Sequence, residues 1–156
     1  MAALRPDVVQ RRLVLMDELL DDLASLGEVS LERLHSDRLT RRAVERILTH
    51  LVDLAVDVNT HVVSAAGATP PDDYGDSFPA AAKAGLIPHD LATALLPSTG
   101  FRNILIHAYV DVDLATVHES IGLALADYRR YTRAVARYLK EDSAGNRPEG
   151  SRQRDA

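Results

Sequence analysis

The apolar residues of this chain recur at intervals of three and four, and this spacing limits the chain to packed helices. Residues at that spacing lie on one face of an α-helix and can be buried together. The first such stretch runs from Val8 to Leu26, and we expect Gly27 to end it because glycine suits the left-handed C-terminal position. Its predicted core stripe is Val9, Leu13, Met16, Leu19, Leu20 and Leu23.

Two longer stretches show the same spacing. One starts near Ser36–Thr40 and runs to about Ala66, and the other runs from Leu114 to about Glu141, with Asp111 or Asp113 as its predicted N-cap. The predicted stripes are Ala43, Ile47, Leu51, Leu54, Val58 and Val62 in the first, and Val117, Ile121, Leu125, Tyr128, Val135 and Leu139 in the second.

The segment between these helices contains the residues that break regular structure. Residues 67–79 are rich in Gly, Pro and Asp and are predicted to form a loop, with Tyr74 and Phe78 packing it against the bundle. A short helix capped by Ser77 should follow and stop at Gly85.

A further helix should open at Pro88 and run through Leu96. Pro97 lacks an N–H, so we expect an interruption there and a restart capped by Ser98 or Thr99.

These elements predict one all-α domain, an antiparallel bundle with short inserted helices over residues 7–141. Residues 142–156 are polar, with Gly, Pro and Arg, and are predicted to be a disordered tail. The aromatic content is 4% and there is no Trp, which favours helices packed through aliphatic side chains. The absence of cysteine excludes disulfides, thiolate metal sites and cysteine nucleophiles.

Charge and hydropathy narrow the possible partners. No apolar run approaches the roughly 20 residues of a membrane span, and the N-terminus lacks the apolar core of a signal peptide. We therefore expect a cytoplasmic protein without a membrane partner. The formal net charge of −5 argues against a general nucleic-acid coat protein but allows a nuclease that uses a few cations locally.

Asp53, Asp57 and His61 follow one another at four-residue spacing on the longest predicted helix. Two carboxylates and an imidazole could hold a divalent cation or line a cleft. They could equally form a solvated face with one ion pair between neighbouring turns. The spacing leaves these alternatives open.

The most distinctive stretch is Arg102 to Tyr109, which combines a guanidinium, an amide, an imidazole and a phenol. On a helical wheel Arg102, Asn103, His107 and Tyr109 share one sector, and Ile104, Leu105 and Ala108 lie opposite. Arg102 and His107 are five positions and about 140° apart, so they converge only in a groove or across a symmetry axis.

Four interpretations of this stretch compete. In the first, His107 is simply a core histidine. The second is a metal site, which is disfavoured because Arg102 would repel the cation. The third is a serine hydrolase, which would need a Gly-x-Ser-x-Gly turn that is missing. The fourth is metal-free RNA cleavage, in which the 2′-OH is the nucleophile, imidazoles move protons and an arginine stabilises the phosphorane. Asn103 could orient the His107 ring or donate to phosphate, and a two-fold dimer would supply both an acid and a base.

Arg102, His107 and Tyr109 fit the R-x4-H-x-Y signature, and the chain resembles the HepT-like toxins of the HEPN superfamily. The resemblance extends over roughly residues 8–140. It includes Asp57 and His61 on the long helix, as well as Tyr74, Phe78 and Gly85-Leu86-Ile87 ahead of the motif.

This resemblance implies a homodimeric four-helix HEPN bundle with the motif helices lining the interface cleft. It implies a metal-independent endoribonuclease without a cofactor, the toxin of a type VII toxin–antitoxin pair, in which Arg102 and His107 are catalytic and Asn103 and Asp57 support them. It also implies a cognate MntA-type nucleotidyltransferase antitoxin that transfers AMP from ATP to Tyr109. We expect RNA and not DNA as the nucleic-acid partner. The alternative is a non-catalytic HEPN bundle that binds substrate for a nucleotidyltransferase or acts as its scaffold.

Overall fold

The computed structural model describes residues 3–107 and 111–145, and this part of the chain contains six α-helices and no strand. Four of the helices are long and two are short, which confirms the predicted all-α bundle with short inserted helices. None of the described helices has the length and apolar character needed to cross a membrane. The helices are α1 (Pro6–Ser25), α2 (Leu31–Ser36), α3 (Arg38–Ala65), α4 (Tyr74–Lys83), α5 (His89–His107) and α6 (Leu114–Gly145).

The core lies where α3 packs against the other long helices, and α1 and α5 both also contact α6. The predicted stripe of α1 is confirmed almost completely: Val9, Leu13, Met16, Leu20 and Leu23 are buried. Each such side chain contributes about 1.5–3 kcal/mol when it leaves water. Because α3 contacts every other described helix, its side chains can reach partners on all of them.

Aspartates begin the two longest helices. The Asp37 carboxylate accepts a hydrogen bond from the Thr40 N–H and hydroxyl at the start of α3. Asp113 accepts from the Ala115 N–H at the start of α6, so it is the predicted cap that forms. These bonds satisfy N–H groups that have no partner inside the helix.

The predicted start of the fourth helix is wrong. This helix begins at Tyr74, and its N-cap is Asp73, which accepts from the Gly75 N–H at 2.7 Å. Ser77 is instead buried in the first turns, where Asn59 of α3 donates to its hydroxyl. An earlier aspartate therefore satisfies the free N–H groups, and the serine is left for a tertiary contact.

The predicted interruption at Pro97 is also wrong, because α5 runs unbroken from His89 to His107. The buried side chains Leu91, Leu95 and Thr99 are spaced four apart, so residues before and after Pro97 pack on the same face of one helix. Ser98 and Thr99 do not cap a new helix; their hydroxyls donate to the backbone carbonyls of Leu95 and Leu96. Packing of this face offsets a proline cost of about 3 kcal/mol.

The last helix extends to Gly145, so residues 142–145, which were predicted to begin a disordered tail, are helical. The rest of that predicted tail, from residue 146 onward, lies outside the described residues.

Candidate active site

Arg102 is held by a carboxylate from another helix. Its Nε donates to Oδ1 of Asp53 at 2.8 Å, and the two side chains are 18% and 32% exposed. Asp53 lies near the middle of α3 and Arg102 lies near the end of α5, so the pair joins two long helices. The partial burial distinguishes this pair from an exposed surface ion pair, which usually contributes little.

The guanidinium of Arg102 also lies over an aromatic ring. Its central carbon is 4.8 Å from the centre of the Tyr74 ring, within the range of a cation–π contact. Tyr74 is the first residue of α4, so the loop ahead of that helix delivers the ring to the site. The prediction that Tyr74 and Phe78 pack this segment on the bundle is confirmed, because Phe78 belongs to the hydrophobic core cluster and Tyr74 packs against it.

Asn103 is exposed, and its Oδ1 accepts from Nη1 of Arg102 at 3.3 Å. The sequence predicted that Asn103 could orient the His107 ring or donate to phosphate. The contact that the structure gives it is to the neighbouring Arg102 instead, and a supporting role for Asn103 stays a prediction.

His107 is the last residue of α5 and is exposed to solvent, so it is not a core histidine. Two isoleucines near it are exposed as well: Ile104 is 54% and Ile106 is 37% accessible. The helical wheel placed Ile104 with Leu105 on the apolar side, but only Leu105 packs against the core. The end of α5 therefore presents an imidazole among apolar side chains that have no cover within the described residues.

Asp53, Asp57 and His61 do not act as one group. Asp53 pairs with Arg102, while the Asp57 carboxylate lies 3.7 Å from Nε of Arg12 in an exposed pair. The Nε2 atom of His61 accepts from the backbone N–H of Arg5 at 3.0 Å. The three side chains therefore have three separate partners, and no set of three or more potential metal ligands occurs in the part of the chain that the structure describes. A supporting role for Asp57 stays a prediction.

An apolar cavity of about 230 Å³ lies beside Arg102, between α5 and α6. Phe101, Leu105 and Leu123 are among the side chains that line it. The Tyr128 hydroxyl at this cavity lies 2.7 Å from Oγ of Ser98, and burial raises the pKa of Tyr128 well above its ordinary value. This phenol therefore stays neutral near pH 7.

The carboxylate that contacts Arg102 is Asp53, a residue that sequence reasoning did not single out from its neighbours. The spacing marked it as one of three polar residues on α3, but a pair across 49 positions leaves no local signal. Tyr109 lies outside the described residues.

The described residues form an all-α bundle of the predicted class, and its helix α5 carries both Arg102 and His107. Residues 16–135 match the family described as ribonuclease HepT-like. The chain is 30% identical over 139 residues to the tRNA nuclease HepT of Aphanizomenon flos-aquae, covering 89% of this chain and 95% of that protein.

Solved structures share the fold. A tri-AMPylated Shewanella oneidensis HEPN toxin in complex with its MNT antitoxin superposes with a TM-score of 0.73 at 21% identity, covering 84% of this chain and 98% of that one. The Bacillus subtilis cytosolic protein YutE has a TM-score of 0.78 at 13% identity, covering 91% and 95%. The chain belongs to the HepT-like ribonuclease family.

Proposed function

We propose that this protein is the ribonuclease toxin of a toxin–antitoxin pair, and that Arg102 and His107 carry out RNA cleavage without a metal ion. The observation that supports this most is the state of the two side chains. Arg102 is held in one orientation by Asp53 and Tyr74, while His107 is exposed near the end of the same helix.

The proposed reaction uses the 2′-OH of RNA as nucleophile. A neutral His107 imidazole takes the 2′-OH proton, the 2′-oxygen bonds to phosphorus, and the bond from phosphorus to the 5′-oxygen breaks. A protonated imidazole gives its proton to the departing 5′-oxygen. The products are a 2′,3′-cyclic phosphate and a free 5′-hydroxyl, and the Arg102 guanidinium stabilises the charge that develops on the phosphoryl oxygens.

Two imidazoles are needed, and we propose that a two-fold dimer supplies them. The exposed Ile104, Ile106 and Leu123 provide apolar area on α5 and α6 for such a contact. In an isologous dimer the same patch faces itself, so each subunit would bring one His107 to a shared cleft.

RNA binding by this acidic protein requires local positive charge. From Tyr128 to Lys140, α6 carries five basic side chains and no acidic one. Arg133, Arg137 and Lys140 of this run are exposed. They can contact phosphates away from the cleavage site, which suits a structured RNA such as tRNA, the substrate named for the Aphanizomenon relative.

The proposed antitoxin is an MntA-type nucleotidyltransferase that transfers AMP to Tyr109 in the cytoplasm. Tyr109 is two positions beyond His107 in the sequence. An AMP group there would add bulk and negative charge near the cation that must meet RNA phosphate, and both effects oppose substrate binding.

The test is cleavage of purified tRNA in EDTA by the unmodified protein and two single variants. His107→Ala should abolish cleavage, whereas His89→Ala, which removes the histidine at the opposite end of the same helix, should not. Equal cleavage by the wild type and His107→Ala would contradict the proposal.

Intact-mass measurement after co-expression with the antitoxin tests the regulation. We expect mass increments of AMP located on Tyr109. A stable unmodified complex together with an inactive wild type would favour the scaffold function instead.

A further inference from the structure

We propose that Asp53 is a positioning residue for the proposed catalytic arginine, and that Tyr74 completes its support. This inference rests on the proposed function of Arg102. The carboxylate and the ring come from two different helices, α3 and α4, and meet the guanidinium at its Nε side and over its face.

The hydrogen bonds leave a defined set of donors for substrate. A guanidinium has five N–H groups. Asp53 takes the one on Nε, and Asn103 takes one of the two on Nη1. Among the contacts of the described residues three donors remain, one on Nη1 and two on Nη2, and the Nη1–Nη2 edge of a guanidinium can bind two phosphoryl oxygens at once.

The Tyr74 ring restricts rotation of this edge because it covers one face of the guanidinium. The position of Tyr74 is set from inside the core. The Ser77 hydroxyl donates to the Tyr74 carbonyl at 2.8 Å, and Nδ2 of Asn59 donates to Ser77 at 3.2 Å. Oδ1 of Asn59 accepts from the Tyr131 hydroxyl at 2.7 Å.

These links form a continuous path from α6 through α3 to the first turn of α4. Asn59 and Tyr131 are fully buried and Ser77 is 1% exposed, so the path lies in the rigid interior. The Tyr74 ring that Arg102 contacts is therefore fixed by buried hydrogen bonds, and the Asp53 carboxylate belongs to the central helix α3.

A positioning role makes a different prediction from a binding role. Asp53 is negatively charged, so its loss removes a charge that repels RNA phosphate and should not weaken substrate binding. It also frees Nε and lets the guanidinium leave its orientation. The expected result for Asp53→Asn is a kcat roughly 10- to 100-fold lower with an unchanged or lower KM.

The matched control is Asp90→Asn. Asp90 accepts from Nη2 of Arg130 at 2.9 Å, so it belongs to an arginine–aspartate pair of nearly the same length, but at the opposite end of α5. This variant should leave both constants within twofold of the wild type. Asp53→Glu, which keeps the charge, should recover part of the lost kcat.

Tyr74 is tested by a separate pair of variants. Tyr74→Leu should lower kcat because it removes the stacking face, and Tyr74→Phe, which keeps the ring, should restore activity relative to Tyr74→Leu. This pair also keeps the proposal testable if Asp53→Asn does not fold.

A spectroscopic measurement separates this proposal from the nuclease proposal. In ¹⁵N-labelled full-length protein, the Nε–H of Arg102, assigned by its loss in Arg102→Lys, should be protected from solvent exchange. Asp53→Asn should remove that protection and Asp90→Asn should not. Unchanged protection, or a raised KM with an unchanged kcat in Asp53→Asn, would overturn the positioning role. If the wild type cleaves no RNA, the nuclease proposal fails while the exchange result still tests the contact.

Discussion

The Tyr131 hydroxyl is the buried group whose removal gives the clearest measure of how the core supports the site. It lies 2.7 Å from Oδ1 of Asn59 and 3.1 Å from the Ala55 carbonyl, and Tyr131 and Asn59 are both fully buried. Tyr131→Phe keeps the ring, and with it the edge contacts to Phe78 and Tyr128. It leaves the Asn59 carbonyl without its donor, which costs about 1–3 kcal/mol in free energy of unfolding.

At about 2 kcal/mol, the expected fall in Tm is roughly 4–8 °C for a chain of this size. The assay is urea and thermal unfolding followed by circular dichroism at 222 nm. Protein concentrations are kept equal because the stability of the proposed dimer would depend on concentration. Tyr138→Phe is the control, because Tyr138 is only half-buried and should change stability by less than about 0.5 kcal/mol. A loss in Tyr131→Phe no larger than in the control would refute the reasoning that this bond anchors α3 and α6.

Two further predictions concern the surface. Ile104→Glu puts a charge into the proposed dimer contact, so we expect a monomer by sedimentation velocity and at least tenfold slower RNA cleavage. An intact dimer of this variant would contradict the proposed interface. Arg130 holds the pKa of Asp90 below its ordinary value of 3.8 through a hydrogen bond. The stabilisation from this pair is therefore present above pH 3.8 and is lost as the pH falls through the lower folded-state pKa of Asp90. An NMR titration of Arg130→Gln should show the Asp90 pKa returning towards 3.8.

The helices that the sequence predicted well are those whose local pattern and tertiary burial agree. The stripe of α1 repeats every three or four residues, and its members are the residues that the structure buries. The ends of these helices followed local chemistry too. Gly27 and Gly85 adopt φ values of 69° and 84°, a left-handed conformation that glycine takes without steric cost.

The segment around Pro97 could not be predicted in the same way because two effects oppose each other there. Local chemistry favours a break, and burial of Leu91, Leu95 and Thr99 favours one continuous helix. Neither the depth of this burial nor the contact of Ser98 with Tyr128 can be read from a short window of sequence. The tertiary contacts prevail, so a single continuous helix carries Arg102 to its contact with Asp53 of α3.

The candidate site shows the same division between local pattern and long-range contact. The motif spacing predicted Arg102 and His107, because the residues of one helix are ordered by sequence. It did not predict which of the α3 carboxylates meets the arginine, because Asp53 and Asp57 differ by one turn and carry the same charge. That choice depends on the position of α5 against α3. α1 supplies Arg12 as the partner of Asp57, and Asp53 is left to face Arg102. A one-turn shift of α5 along α3 would move Arg102 away from Asp53, so the continuity of α5 through Pro97 and the identity of the carboxylate that positions Arg102 depend on the same packing.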